Sequence, residues 1–333
     1  MNKDKLRIGV VGLGKMGLLH SSILNVIPEV QLAGVCEKSA ITRKLFKKVL
    51  RDVPLVEDVT DFSDLNLDAV YITTPIPSHF IVAKTVYQER IARHLFIEKT
   101  LAAKYSEAKT LCELANLNSG VTMVGYLRRF MVTFIKAKEL LSQNAIGEPA
   151  SFEVNAFSSD FCGVSNNSQA SIARGGVLCD LGSYAIDLAL WFFGDLQIGS
   201  AKIESSTGSG AEDIVHFTAR TNPSEINGVF DVSWCKEGYR MPEVNIKVKG
   251  AKGTIEVNDD KVKLANGFGK ESTWYRVTLN DAVAFWLGGP EYYREDAYFI
   301  ECVKSALVAE PSFENAAKVD MLIENIQECA KKL

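Results

Sequence analysis

The chain has 333 residues, 47% apolar and 23% charged, with a formal net charge of −4. That length exceeds one ordinary core and predicts two domains of a globular protein. The charges form no block that advertises nucleic acid or an anionic membrane surface, and the apolar runs are strand-length or broken by charge, so no membrane span is expected. The start, MNKDKLRIGVVGLG, passes from charge straight into a strand and a glycine turn, so no signal peptide is expected. Cys36, Cys112, Cys162, Cys179, Cys235, Cys302 and Cys329 include no CxxC pair and read as reduced thiols of a cytoplasmic protein. His20, His79, His94 and His216 have no metal-ligand spacing, so no metal is expected.

In chain order, LRIGVVG, VQLAGVC, DAVYITT, HLFIEK and VTMVGY are short apolar runs separated by amphipathic stretches. Continuous apolarity with helical crossovers predicts a doubly wound parallel sheet covered on both faces. A helix over 131–144 makes the transition to a different texture. ASFEVNAFSS, AKIESST, DIVHFTART, NGVFDVSW, VNIKVKG, GTIEVND and TWYRVTL alternate in polarity and are joined by Gly, Asn and Pro turns. They predict a large, mostly antiparallel sheet with one covered face. Two helices, about 291–309 and 314–332, close the chain. The expected domains are 1–125 and 126–333, with no flexible linker.

The segment VVGLGKMG places Gly12, Gly14 and Gly17 as G-x-G-x-x-G after a strand and before a helix. Gly12 permits the tight turn, Gly14 lets backbone approach a pyrophosphate, and Gly17 lets the helix lie close on the strand. Leu13, Lys15 and Met16 complete this turn, where phosphates would meet unpaired amides at a helix N-terminus. Glu37, 20 residues after Gly17, ends the second strand and suits the ribose hydroxyls of an adenosine. It would repel a 2′-phosphate, which favours NAD over NADP, although Lys38 and Arg43 stand close enough in sequence to rescue one. YITTPIPSH puts Thr73, Thr74 and Pro75 at another strand end, on the crevice of such a sheet, with His79 in the following helical turn facing the crevice or solvent. LFIEKT puts Glu98 and Lys99 at the same rim.

In GGVLCDLGSYAIDLALWFFG, Asp180, Tyr184 and Asp187 fall on one side of a helix, while Tyr184, Leu188 and Trp191 make an ordinary core stripe. Together with GVVGLGKMGLLH, TPIPSH, FIEKT and GYLRRF, this segment follows the order and spacing of the glucose–fructose oxidoreductase/inositol dehydrogenase (Gfo/Idh/MocA) family, which the chain resembles over nearly its full length. The resemblance implies a Rossmann domain followed by an α+β domain on an open sheet. It implies oxidation or reduction of a sugar, cyclitol or related compound with NAD or NADP, in a homodimer or homotetramer joined through that sheet. The family's E-K-P falls on Glu98, Lys99 and Thr100, so threonine replaces proline. Its D-x-x-x-H falls on Asp180 to Tyr184, so tyrosine replaces the usual catalytic histidine, as in the glucose–fructose oxidoreductase and dihydrodiol (xylose) dehydrogenase branches, while Asp187 resembles the inositol dehydrogenase branch.

The resemblance makes Lys99, Tyr184 and Asp180 the catalytic candidates. Tyr184 would transfer the proton, Lys99 would favour its phenolate, and Asp180 would orient the substrate or hold Lys99 charged. Arg128 is expected to touch cofactor or substrate, one of Arg128 and Arg129 to make an interdomain ion pair, and Gly175 and Gly176 to bring their loop near the cofactor. The loop 159–174, with Asp160 and Asn166, reads as a substrate lid or an ordinary surface loop. A non-catalytic dinucleotide-binding regulator of the same fold, and a reductase of aromatic or linear carbonyls, remain alternatives.

Overall fold

A computed structural model describes residues 5–162, 174–206, 211–267 and 269–332. The chain forms two compact units, Met1–Tyr126 with Val283–Asp320, and Leu127–Ala282 with Met321–Leu333.

The first unit begins with the alternation its sequence predicts. β1 (Leu6–Val11), α1 (Lys15–Val26), β2 (Val30–Cys36), α2 (Ala40–Phe46), β3 (Leu55–Val56), β4 (Ala69–Ile72), α3 (Ile76–Gln88), β5 (His94–Glu98), α4 (Tyr105–Asn118) and β6 (Thr122–Gly125) follow one another. The six strands run parallel in the order β3-β2-β1-β4-β5-β6. β4, β5 and β6 are buried along their whole length, which is why they read as unbroken apolar runs. The order reverses at β1 and β4, so the crevice outside their C-terminal ends is the place where such a sheet takes a ligand. β3, two residues long, gives no sequence signal.

The second unit holds α5 (Val132–Ser142), β7 (Pro149–Phe157), α6 (Ser183–Phe193), β8 (Asp195–Glu204), β9 (Ile214–Asn222), β10 (Asn227–Ser233), β11 (Glu243–Gly250), β12 (Gly253–Val257), β13 (Lys261–Asn266) and β14 (Glu271–Tyr275). Its eight-stranded sheet has the order β14-β13-β12-β11-β7-β10-β9-β8. Only β7 and β10 pair in parallel; the other neighbours are antiparallel. α5 packs on β12 and β13, and α6 on β7. Phe152 stacks on Phe193 at 4.3 Å and Phe217 on Phe230 at 4.2 Å, the aromatic centre of that covered face. β13 escapes sequence reading because only Val262 of its residues is buried. TWYRVTL stops being strand at Tyr275, where Arg276–Thr278 turns into a 3-10 helix.

The expected second domain, 126–333, is corrected by the returning segment. Within it α7 (Pro290–Ser305) belongs to the first unit, and the unit boundary falls inside α8 (Phe313–Ala330). The cause is specific pairing. Asp296 meets His20 of α1, Val124 N–H of β6 donates to Pro311 O at 3.0 Å, and Ala102 N–H donates to Asp320 Oδ2 at 3.0 Å.

Candidate active site

In the glycine turn, Gly12 has φ +97°, a left-handed value that glycine adopts without strain. A Cβ on Gly17 would lie 1.8 Å from Gly12 O, so only glycine lets α1 start this close to β1. A Cβ on Gly14 would meet nothing within 4 Å, and no side chain caps the α1 amides there. That open side, beside unpaired donors at the positive end of a twelve-residue helix, suits an anion. Glu37 Oε2 accepts from Leu13 N–H at 2.8 Å and Oε1 from Ser39 N–H at 2.8 Å, which aims the carboxylate along the turn. Arg43 donates to the backbone oxygens of Glu37 and Lys38 and pairs with Glu57 Oε2 at 2.6 Å. Lys15 and Lys38 are exposed and Met16 is half-buried. The residues present therefore fit a dinucleotide whose adenosine ribose meets Glu37.

Thr73 Oγ1 donates to Val11 O and Gly12 O, each at 3.0 Å, locking the end of β4 against the glycine turn. Thr74 accepts from Ser78 Oγ at 2.8 Å, and Pro75 precedes α3 as its exposed cap. His79 corrects the expectation of a residue facing crevice or solvent. It is fully buried, with Nδ1 2.8 Å from Thr100 O and Nε2 2.7 Å from Thr74 O. Burial lowers its pKa against the pull of those carbonyls. It is a strut between two rim segments, because the first turn of α3 points this position inward.

Lys99 is half-buried and its peptide to Thr100 is cis. Its N–H donates to Glu98 Oε2 at 3.2 Å. Behind it lies a network that the sequence does not reveal. Glu98 Oε1 is 2.9 Å from His20 Nε2, and His20 Nδ1 is 2.8 Å from Asp296 Oδ1. Burial works against a charged His20, but Asp296 and Glu98 outweigh it and hold its pKa well above the usual value. Burial pushes the neighbouring Glu295 carboxyl well up, with Glu98 adding to the shift, and neither Glu295 oxygen has a hydrogen-bond partner among the described residues.

In the second unit, a π-helical turn over Leu178–Gly182 carries Asp180 into α6 and widens the spacing before Tyr184. Tyr184 is buried, with the Arg128 guanidinium carbon 4.6 Å from its ring centroid. Arg128 is only 5% exposed; Nε and Nη2 reach Asp259 at 3.2 and 3.0 Å, and Nη2 donates to Pro242 O at 2.9 Å. Arg129 pairs with Asp187 inside this unit, with Nη2 2.7 Å from Oδ1, as Arg128 does with Asp259. Burial raises the Asp187 pKa against the pull of Arg129.

Asp160 and Asp180 come together on Arg174, whose Nη1 is 2.6 Å from Asp160 Oδ2 and 3.4 Å from Asp180 Oδ2. Trp234 Nε1 also donates to Asp180 Oδ2 at 3.3 Å. Gly175 and Gly176 have left-handed backbones, and a Cβ on Gly176 would lie 2.0 Å from Glu212 Oε1. That glycine accommodates Glu212, whose Oε1 accepts from Leu178 N–H at 3.3 Å. Asn166, and most of the loop containing it, lies outside the described residues. Among the described residues no three His, Cys, Asp or Glu side chains gather as a metal site, and no helix is long and apolar enough to cross a membrane. All seven cysteines are unbridged.

Comparison with known proteins adds to this geometry. Residues 6–126 match a family model described as "Oxidoreductase family, NAD-binding Rossmann fold", and residues 134–256 match "GFO/IDH/MocA C-terminal domain". The chain is 24% identical over 314 residues to the myo-inositol 2-dehydrogenase of Thermotoga maritima, covering 90% of this chain and 89% of that protein. It is 25% identical over 221 residues to the scyllo-inositol 2-dehydrogenase (NADP(+)) IolW of Bacillus subtilis, covering 64% and 59%. Levoglucosan dehydrogenase in complex with NADH and L-sorbose shares the fold, with a TM-score of 0.86 and 20% identity over 99% of this chain and 97% of that one.

Proposed function

This chain belongs to the GFO/IDH/MocA oxidoreductase family, and on that premise we propose that it interconverts a hydroxyl and a carbonyl on a cyclitol or sugar. Its first unit is an NAD-binding Rossmann fold. The observation that carries the reading is the glycine turn closed by Glu37, a pyrophosphate cradle beside a ribose acceptor at the switch point of the sheet. Glu37, and the engagement of Arg43 with Glu57 and backbone, support NAD over NADP.

When bound, the nicotinamide ring supplies or accepts the hydride. The protein's share is alignment and proton transfer. Lys99 and Tyr184 stand at the positions of the family's lysine and its acid–base group. Tyr184 Oη takes the proton of the substrate hydroxyl during oxidation and returns it during reduction. A free phenol ionises near about pH 10, too high for a base at neutral pH, so Tyr184 needs a neighbouring cation. Lys99 supplies one. Asp180, polarised by Trp234 and Arg174, orients the substrate with Asp160. A homodimer or homotetramer through the eight-stranded sheet, and a cytoplasmic location, complete the reading.

The test is formation of the reduced-nicotinamide absorbance band with NAD over a panel of inositols, sugars and nucleotide sugars. Turnover of a member is expected. Tight NADH binding with no turnover of any member would favour a cofactor-sensing regulator instead.

A further inference from the structure

Tyr184 is held between its own helix and a cation that no part of the mechanism above uses. Arg128 leaves the 3-10 turn Leu127–Phe130 and lays its guanidinium against the phenol ring, 4.6 Å from the ring centroid. Three contacts fix the guanidinium plane: Asp259 Oδ1 on Nε, Asp259 Oδ2 on Nη2, and Pro242 O on Nη2. Arg129 cannot replace it, because Asp187 holds Arg129 one helical turn further along α6. Two consecutive arginines thus clamp one helix at residues three apart.

We propose that Arg128 is a positioning residue for Tyr184, fixing the ring's orientation and favouring the ionised phenol, with Asp259 as the anchor that keeps the guanidinium on the ring. A cation over an aromatic face attracts the ring's electrons, and a phenolate ring is richer in electrons than a phenol. Asp259 partly offsets the charge but binds the guanidinium through its Nε and Nη2 atoms. On the ring's own segment Asp180 is engaged by Trp234 and Arg174, and Asp187 by Arg129. Asp259 grips Arg128, and Glu243 is close enough to feel Arg128, Asp259 and Asp260; burial raises the Glu243 pKa, so it is a weakened anion. Lys99 is the other cation assigned to the phenol under the proposed function. A lysine at position 128 would keep the charge but lose the planar fork that Asp259 grips.

The inference rests on the reading of Tyr184 as the acid–base group, and two measurements separate them. Turnover by Tyr184→Phe tests that reading. Spectrophotometric phenol titration of the full chain tests the inference and needs no substrate; subtracting the Tyr184→Phe curve isolates this one phenol. In Arg128→Gln its midpoint is expected about one pH unit higher than in the parent. Arg128→Lys serves if Arg128→Gln fails to fold, and should give a smaller upward shift. Midpoints equal to the parent's in a folded variant would overturn the proposal.

Discussion

His20 and Asp296 are 276 residues apart in sequence, yet their side chains meet at 2.8 Å in the interior of the first unit. Neither is exposed, and Glu98, next to Lys99, closes the other side of the imidazole. The network therefore ties the returning helix α7 and the helix behind the glycine turn to the strand whose last residue, Glu98, precedes Lys99.

This network predicts how stability follows pH. His20 has a folded pKa above its unfolded value, so its contribution is complete below about pH 6.5 and is lost as pH rises through the folded value. Glu295 has the same sign, because its raised folded pKa makes the folded state retain a proton that the unfolded chain releases above about pH 4.3. His79 and His94 oppose both with a gain, because their lowered pKa values favour the folded state as pH rises through about 6.5. In thermal melting, the His20 and Glu295 contributions should therefore be smaller at about pH 9 than at about pH 6, set against that gain. Glu295→Met should flatten part of that slope and raise stability at the alkaline end by about 1 kcal/mol, since a buried carboxyl with no partner is removed. An unchanged slope in Glu295→Met would contradict the assignment.

The buried Arg129–Asp187 pair predicts strong non-additivity. Removing one partner strands the other charge, so Arg129→Met or Asp187→Leu alone should cost about 3–5 kcal/mol in denaturant unfolding. The double variant should cost much less than the sum, because both charges leave together. Additive losses would show that the two side chains do not depend on each other.

The glycines of the cofactor turn should separate folding from binding. Gly14→Ala adds a methyl where nothing lies within 4 Å, at a backbone φ of −71°, so the protein should melt like the parent. That methyl would stand in the path of the pyrophosphate, and NADH titration should show weaker binding. Gly17→Ala drives its methyl into Gly12 O and should lose stability and binding together. Unaltered NADH affinity in Gly14→Ala would move the phosphates away from this turn.

Glu37 should set cofactor choice. In Glu37→Ser the carboxylate leaves, and a lost hydrogen bond to a charged group is worth about tenfold. NAD affinity should fall by that order and the NAD to NADP ratio of kcat/KM should drop. A ratio equal to the parent's would place the ribose elsewhere.

What the sequence makes legible follows from the range of each interaction. The glycine turn, Glu37 and the strand ends are local patterns, and each could be read from neighbouring residues. The eight-stranded sheet was legible for the same reason, except β13, whose alternation buries Val262 alone. His79 was misplaced because its two partners, Thr74 O and Thr100 O, are backbone atoms that carry no residue signature. Asp296 and Asp259 were missed because their partners are remote in sequence, 276 residues for His20 and 131 for Arg128. Residues 283–320 were given to the wrong domain for that reason, since the pairing that recruits them to the first unit is long-range.

The most direct test of the account is the turnover of Tyr184→Phe, measured with NAD and a cyclitol or sugar that the parent oxidises, alongside NADH titration. NADH affinity is expected to be unchanged and kcat lower by about 10²–10⁴-fold. A folded Tyr184→Phe protein that binds NADH and turns over at the parent rate would contradict it.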